Sequence, residues 1–211
     1  TPVTVIRGSI EALHDKVVTD PKQVEEYYSH LLSESIYLQR LVNDLLDLSR
    51  LQNTDFSLNK EEVNLLSIVH ESVRSARRLC AKKNISINFE SNKDVEVIYG
   101  DFDRLRQMIL IILDNAIKFS NIGSTIDIVY RNCVLSITDY GEGIKKEDLP
   151  NIFERFYKMR DEKNKGGTGL GLAIAKQIAL RHDIAVTVDS KENEYTTFSF
   201  DFSKAVNYKG V

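Results

Sequence analysis

The sequence predicts an α+β protein in which a helical hairpin is followed by a two-layer α/β sandwich. Apolar residues recur at helical spacing near the start of the chain, whereas later segments alternate helical patterns with short β-type runs. A short polar stretch separates the two parts. Because helices and strands that share one core form layers, we expect a hairpin at residues 1–53, a linker at 54–60 and a sandwich at 61–211.

The hairpin is predicted from two helical patterns around a turn. In the first helix the apolar residues step by three and four, and they are Val3, Ile6, Ile10, Leu13 and Val17. Asp20 is a candidate cap for the second helix, with Pro21 at its first position and Gln23 completing a capping box. The second helix is expected to end near Gln52.

A wide apolar stripe runs along this second helix. Its members are Leu31, Leu32, Leu38, Leu41, Val42, Leu45, Leu46 and Leu48. Two helices cannot cover a stripe of this width, so we expect the hairpin to dimerise into a four-helix bundle. Packing of the hairpin onto the rest of its own chain is the weaker alternative, because the segment that follows is polar.

The sandwich elements follow in order. Helices are expected at 61–82 and 101–120, and a third helix is expected to run from the glycine-rich segment to about 182. Strands are expected at 85–91, 95–99, 125–131, 134–139, 185–190 and 195–202.

Composition limits the possible functions. The 211 residues carry a formal net charge of -3, which gives no electrostatic reason to expect nucleic acid. The longest apolar run, at 108–113, is too short to span a bilayer, and no signal peptide opens the chain, so we expect a soluble piece. Cys80 and Cys133 are far apart and lie in no metal or redox spacing, and they are expected to be buried reduced thiols.

A glycine-rich run at 166–172, with the sequence GGTGLGL, leads directly into an amphipathic helical pattern. Glycines let backbone N–H groups approach an anion, and a helix N-terminus favours negative charge. The run therefore predicts a phosphate cradle, with a flexible hinge as the alternative. Its spacing fits neither the dinucleotide-binding fingerprint nor a P-loop.

Asp139 ends the predicted strand 134–139, and the period of two places it on the same face as Leu135 and Ile137. Gly141 and Gly143 follow. A buried carboxylate needs a donor, and an adenine amino group would supply one. The alternative is an ordinary Asp-Gly turn.

On the helix before this strand, Ile111, Asn115 and Lys118 lie on a shared face. An amide oxygen suits Mg²⁺ and an ammonium group suits phosphate, so this pattern favours a triphosphate site. A solvated polar stripe is the alternative for either polar residue alone.

Four segments in this order resemble the N, G1, F and G2 boxes of sensor histidine kinases. They read DNAIKFS at 114–120, DYGEG at 139–143, FERFY at 153–157 and GGTGLGL at 166–172. Thr1-Pro2 before the hairpin resembles the end of the H-E-x-x-T-P block of the dimerisation and phosphotransfer domain in the same family. The resemblance extends over essentially the whole chain and implies a Bergerat ATP-binding sandwich.

The resemblance also implies functional residues and partners. Asn115 would bind Mg²⁺, Lys118 would contact phosphate, and Asp139 would accept from adenine. The full nucleotide-binding set that it implies is Asn115, Lys118, Phe119, Asp139, Gly141, Gly143, Gly167, Thr168, Gly169, Leu170, Gly171 and Thr196. Residues 145–169 would form a lid over ATP, held down by Phe153 and Phe156. The implied partners are a second copy of the hairpin and a response regulator, in the cytoplasmic part of a membrane-anchored sensor.

Two departures from the family pattern stand out. The acceptor histidine of H-E-x-x-T-P would lie before Thr1, which we interpret as a chain cut inside the motif, and Thr1 matches the position that serves regulator dephosphorylation. The histidines that are present are expected to be solvated, and they are His14, His30, His70 and His182. Ile111 stands where these kinases usually have a polar residue, and an isoleucine cannot activate water for hydrolysis.

The leading prediction is therefore an ATP-dependent protein histidine kinase core that passes phosphoryl to a histidine and then to a regulator aspartate, with a possible regulator phosphatase activity. The alternative is a non-catalytic module that binds nucleotide and dimerises, which Ile111 and the missing histidine favour. A gyrase-like hydrolase would need the glutamate that Ile111 replaces, and it leaves the hairpin unexplained.

Overall fold

The computed structural model describes residues 2–158 and 167–206, and it opens with the predicted hairpin. Helix α1 spans Pro2–His14 and helix α2 spans Pro21–Gln52. The Oδ1 atom of Asp20 accepts hydrogen bonds from the backbone N–H groups of Lys22 and Gln23, at 3.0 and 3.1 Å, so this predicted cap is confirmed.

Val17 was expected in the apolar seam of the first helix, and that expectation is wrong. The helix ends at His14, and Lys16 has a φ of +57°, which turns the chain out of the helical path. The side chain of Val17 is 77% exposed as a result.

A mixed sheet covered by helices follows the linker. Its elements are β1 (Glu61–Asn64), α3 (Leu65–Lys82), β2 (Ser86–Ser91), β3 (Val97–Gly100), α4 (Phe102–Phe119), β4 (Thr125–Arg131), β5 (Val134–Asp139), α5 (Gly171–Arg181), β6 (Ala185–Lys191), β7 (Tyr195–Asp201) and α6 (Ser203–Val206). Five strands form one sheet in the order β2-β4-β5-β7-β6, in which β2 and β4 are parallel and the other pairs antiparallel. Helices α3, α4 and α5 pack side by side against it, which confirms the two-layer sandwich.

The core lies between the sheet and these helices. Every second residue of β4, β5 and β7 is buried, which is the pattern of a sheet with one face covered. Phe200 and Tyr130 from the sheet are fully buried, as are Met108 and Ile109 from α4. This arrangement fixes the end of β5 beside α4 and the start of α5.

The segment predicted as one helix from 61 to 82 is a strand followed by a helix. Residues Glu61–Asn64 form β1, which pairs with β3 in a separate two-stranded sheet. The Oδ1 atom of Asn64 then accepts from the N–H of Leu66 at 3.1 Å and caps α3. Pairing with a strand more than thirty residues away is a tertiary effect that overrides local propensity. The short helix α6 was not predicted.

The C-terminal end of α2 packs against the sandwich. Leu48 and Leu51 are 2% and 0% exposed and belong to the common core. Gln177 and Arg181 of α5 donate to the carbonyl oxygen of Leu51, at 3.2 and 3.1 Å. The alternative of packing within the chain therefore holds for this end of the apolar stripe. The other end is exposed at Leu32, Val42, Leu45 and Leu46.

No helix in the described part of the chain is long and apolar enough to cross a membrane. Both cysteines are free thiols. Cys80 is buried as predicted, whereas Cys133 is only half-buried because it lies in the tight turn between β4 and β5, with a φ of +63°.

Candidate functional site

A cavity of about 400 Å³ lies between α4, the end of β5, β7, the start of α5 and one face of α2. The structure brings most of the predicted site residues to its wall. Those that line it are Asn115, Lys118, Phe119, Asp139, Gly143, Gly167, Thr168, Gly169, Gly171 and Thr196. Ile111 lines it as well. Residues that lie up to 85 positions apart in the sequence thus share one pocket.

Two of the described predicted site residues, Gly141 and Leu170, do not line the cavity. Gly141 packs against α4 instead: a Cβ there would lie 2.2 Å from the carbonyl oxygen of Phe119, so glycine is needed for the close approach. Leu170 is fully buried in the core just before α5. Thr1 lies outside the described residues.

Asp139 is a buried carboxyl group in the cavity wall. Its side chain is 4% exposed, and its Oδ1 atom has no hydrogen-bond partner among the described residues. Burial raises the pKa of Asp139 to about 7, against the smaller opposing effect of the Gly141 backbone N–H. A buried acceptor without a donor favours a ligand that supplies one.

The wall beside Asp139 depends on Gly143. This residue has a φ of +64°, and a Cβ there would lie 2.1 Å from the carbonyl oxygen of Lys191. Thr196 pairs with Asp139 across β5 and β7, and its hydroxyl lies 3.0 Å from that of Ser190. Gly143 and Thr196 therefore line the cavity beside Asp139 with backbone and a small side chain.

A second group of residues in the cavity wall suits an anion. Asn115 and Lys118 project from α4, and the Lys118 Nζ atom lies 4.9 Å from the centre of the Phe119 ring. Gly167 and Gly169 lead into α5, whose N-cap residue makes no side-chain capping hydrogen bond. The positive end of this helix therefore faces the same space as the ammonium group.

Ile111 contacts the start of the glycine-rich helix. A Cβ at Gly171 would lie 3.3 Å from the Cγ2 atom of Ile111, so the two residues are neighbours across the cavity. This side chain offers no metal ligand and no general base. It contributes apolar packing at a position where the family pattern predicts a polar group.

The expected lid is described only in part, because residues 159–166 lie outside the described residues. Phe153 packs on Phe198 with ring centres 6.3 Å apart, as predicted. The prediction for Phe156 is wrong: its side chain is 57% exposed, and its φ of +62° directs the chain so that its backbone N–H donates to the carbonyl of Gly169 at 2.9 Å.

His182 was predicted to be solvated, and this is also wrong. It is 2% exposed, its Nε2 atom accepts from the backbone N–H of Asp101 at 3.0 Å, and its Nδ1 atom donates to the carbonyl of Ile178 at 2.8 Å. Burial lowers its pKa. The other three histidines are exposed, as predicted.

Sequence reasoning missed the cavity residues that come from α2. Arg40 and Asp44 line the cavity, and the Thr168 hydroxyl donates to the Oδ2 atom of Asp44 at 2.6 Å. Their spacing of four indicates a shared helix face, but nothing local shows which neighbour that face meets. Gln107, Tyr157 and Lys158 also line the cavity and were not singled out.

The chain matches two family models. Residues 1–54 match the His Kinase A (phospho-acceptor) domain. Residues 100–206, just over half of the chain, match the family described as histidine kinase-, DNA gyrase B-, and HSP90-like ATPase. The second match covers the cavity residues of the sandwich, whereas Arg40 and Asp44 lie within the first match.

Individual relatives and structures agree with these matches. The chain is 32% identical over 208 residues to the sensor histidine kinase YkoH of Bacillus subtilis, which covers 97% of this chain and 45% of YkoH. It spans less than half the length of the curated relatives that it matches. The structure of Acinetobacter baumannii histidine kinase AdeS superimposes with a TM-score of 0.75 at 24% identity, over 99% of this chain and 96% of that one.

Histidine kinase ThkA, solved in complex with the response regulator protein TrrA, superimposes with a TM-score of 0.75 at 24% identity, over 95% of this chain and 57% of that one. At this level of identity, the two solved structures establish the fold of hairpin and sandwich.

Proposed function

The chain belongs to the sensor histidine kinases of two-component systems, and from this membership we propose that its sandwich binds Mg-ATP for transfer of the γ-phosphoryl group to a histidine. The phosphoryl group would pass from there to an aspartate of a response regulator. None of the four histidines in the sequence is proposed as the acceptor, because none lies in the T-P context and His182 is buried.

The observation that carries this proposal is the unpartnered Oδ1 atom of Asp139 in the cavity wall. The adenine amino group is a donor of the right kind, and it would offset the cost of burying this carboxylate. Gly143 and Thr196 would shape the space beside the ring.

In the same cavity, Lys118 and the N–H groups at the start of α5 would hold phosphate oxygens. The described residues include no group of three histidine, cysteine or acidic side chains that could hold a metal alone. Asn115 would therefore share Mg²⁺ with the phosphates of the nucleotide. The ion, when bound, would neutralise phosphate charge, as in other phosphoryl transfers.

Two partners belong to this proposal. The exposed end of the α2 stripe fits a second copy of the hairpin, which would complete a four-helix bundle. The complex of ThkA with TrrA supports a response regulator as the other partner. We also propose that the kinase core acts in the cytoplasm as part of a membrane-anchored sensor. Thr1 would serve dephosphorylation of the regulator.

One observation favours a second function. Ile111 places an apolar side chain against Gly171, where a polar ligand would serve the metal. A module that binds nucleotide as a regulatory ligand, without transferring phosphoryl, needs no such ligand. The two functions use the same cavity and differ only in whether the γ-phosphoryl group is transferred to a histidine.

Titration calorimetry with a non-hydrolysable ATP analogue, with and without Mg²⁺, tests the site. Asp139→Asn should abolish binding, because an amide in place of the carboxylate weakens the bond from adenine. Asp127→Asn is the matched control, since Asp127 lies on the neighbouring strand with its carboxylate bonded to Asn88 and Tyr140 outside the cavity. Absence of binding by the folded parent would sink the proposal.

A further inference from the structure

One face of α2 meets the sandwich through polar contacts spaced three and four residues apart. The Lys158 Nζ atom lies 3.4 Å from the Tyr37 hydroxyl, and the Thr168 hydroxyl donates to Asp44 at 2.6 Å. Asp47 accepts from Arg104 at 3.2 Å and from Gln107 at 3.0 Å. Because these contacts recur along three turns, they fix the rotation of α2 about its axis relative to the cavity.

Arg40 lies between the contacts of Tyr37 and Asp44 on this face. It lines the same cavity as Asn115, Lys118 and Gly167, and it is the one arginine of the described chain that does so. The salt bridges among described residues do not include Arg40. Arg40 lines the cavity from the exposed surface of α2, and its charge acts on the neighbouring Asp44 without a salt bridge at contact distance among the described residues.

The chemistry of this side chain indicates its ligand. A guanidinium presents a planar fork of N–H donors that matches two oxygens of a phosphate, and it stays charged at every physiological pH. Lys118 lines the same cavity from α4. Two cationic side chains that line one cavity favour a ligand with negative charge.

We propose that Arg40 is a further substrate-contacting residue, supplied by the hairpin to the phosphates of the nucleoside triphosphate bound in the sandwich. This inference rests on the proposed function. Asp44 is the positioning residue, because its bond to Thr168 joins α2 to the glycine-rich segment one turn away from Arg40. The nucleotide site is therefore composite, and docking of the hairpin raises the affinity for nucleotide.

The coupling works in both directions. If the docked hairpin strengthens nucleotide binding, bound nucleotide strengthens docking by the same factor. A movement of α2 along or about its axis would withdraw Arg40 from the cavity and weaken nucleotide binding at the same time.

Calorimetry with the non-hydrolysable ATP analogue and Mg²⁺ tests this inference on the whole chain. Arg40→Ala should weaken binding by about tenfold or more, since hydrogen bonds to charged groups contribute more than neutral ones. Arg40→Lys should fall between Arg40→Ala and the parent, because it keeps the charge and loses the fork. Arg50→Ala is the matched control: Arg50 is an exposed arginine on α2 that does not line the cavity, and this variant should bind like the parent.

A double variant that combines Arg40→Ala with Asp44→Asn tests the positioning role of Asp44. If Asp44 acts by placing Arg40, the double variant with Arg40→Ala should bind no more weakly than Arg40→Ala alone. Parent-like binding by Arg40→Ala, or an equal loss in Arg50→Ala, would overturn the inference. If Asp139→Asn loses binding while Arg40→Ala binds like the parent, the proposed nucleotide site holds and only the role of Arg40 is overturned. A folded parent that does not bind the analogue would overturn both the proposed function and the role of Arg40.

Discussion

Asp139 combines a structural cost with the nucleotide-binding role that we propose for it. Its carboxyl group is almost fully buried, and one of its oxygens has no partner among the described residues. Burial raises its pKa to about 7, so the ligand-free protein favours the protonated form below neutral pH. Ionisation at higher pH leaves a charge in an apolar wall until a donor arrives.

The sign of the effect on stability follows from linkage. The pKa of Asp139 is raised in the folded state, so the folded chain binds a proton that the unfolded chain has released between about pH 4 and pH 7. Stability from this group therefore falls as the pH rises through that window. Above pH 7 the penalty is constant.

We predict that Asp139→Asn stabilises the ligand-free protein while it abolishes nucleotide binding. The gain over the parent should widen by about 2–3 kcal/mol between pH 5 and pH 8, because each unit of pKa shift corresponds to about 1.4 kcal/mol. Urea unfolding of both proteins at the two pH values measures it. A variant that is less stable than the parent at pH 8 would contradict this explanation of the site.

Single residues of the site differed in how well the sequence predicted them. The period of β5 placed Asp139 on the buried face, and the helical period of α4 placed Asn115 with Lys118, because both are local geometric rules. Leu170 lies within the glycine-rich motif, but its side chain is buried in the core. The motif predicts the position of its backbone and not the direction of its side chain. The position of Arg40 in the cavity wall could not be predicted, because it depends on which neighbour α2 meets.

At the scale of elements, His182 joins the end of α5 to the start of α4. Its two ring nitrogens bond the carbonyl of Ile178 and the backbone N–H of Asp101, and Asp101 itself caps α4 through the N–H of Arg104. Only the neutral ring with its proton on Nδ1 can make both bonds. The helix that carries Asn115 and the helix that begins at Gly171 are therefore tied together by one side chain.

Protonation should break this link. The pKa of His182 is lowered in the folded state, so its contribution is complete above the ordinary value of about 6.5 and is lost as the pH falls below it. His182→Ala should cost about 2–4 kcal/mol at pH 7.5, from the cavity and the unpaired N–H of Asp101, and less at pH 5. Urea unfolding at the two pH values measures this change. A cost that is equal at both pH values would show that the imidazole packs without titrating.

Most elements followed from periodicity, and the exceptions have tertiary causes. Strands β4 and β5 have the predicted bounds, and α4 lies within one residue of the prediction, because their apolar patterns are long and regular. Strand β1 was missed because its two glutamates disfavour a strand locally and only its partner β3 stabilises it. The resemblance to the family's F box placed Phe156 in the packing of the lid, but this residue has a positive φ and an exposed side chain.

At the scale of the whole molecule, the contact between hairpin and sandwich could not be predicted from the sequence. The apolar stripe of α2 was interpreted as a surface for a second copy, whereas Leu48 and Leu51 enter the core of their own chain. The same helix therefore faces two neighbours. Its exposed leucines remain available to a second hairpin, while its polar face meets the cavity.

Helix α2 contributes both to the proposed dimer surface and to the proposed nucleotide site. The cavity lies between the helix that would dimerise and the helices that would hold nucleotide, so movement of the hairpin changes the composition of the cavity wall. Ile111 favours nucleotide binding without phosphoryl transfer, because its side chain adds apolar packing and offers no ligand for a metal ion. Binding experiments alone cannot distinguish a kinase from a regulatory module.

The most direct test is transfer of label from ATP in trans. The chain would be mixed with γ-labelled ATP, Mg²⁺ and a companion hairpin chain that carries a histidine in the H-E-x-x-T-P context and has no nucleotide site. We predict acid-labile label on the companion with the parent and none with Asp139→Asn. An unlabelled companion, although the parent binds the ATP analogue, would contradict the kinase function and establish a nucleotide-binding module instead.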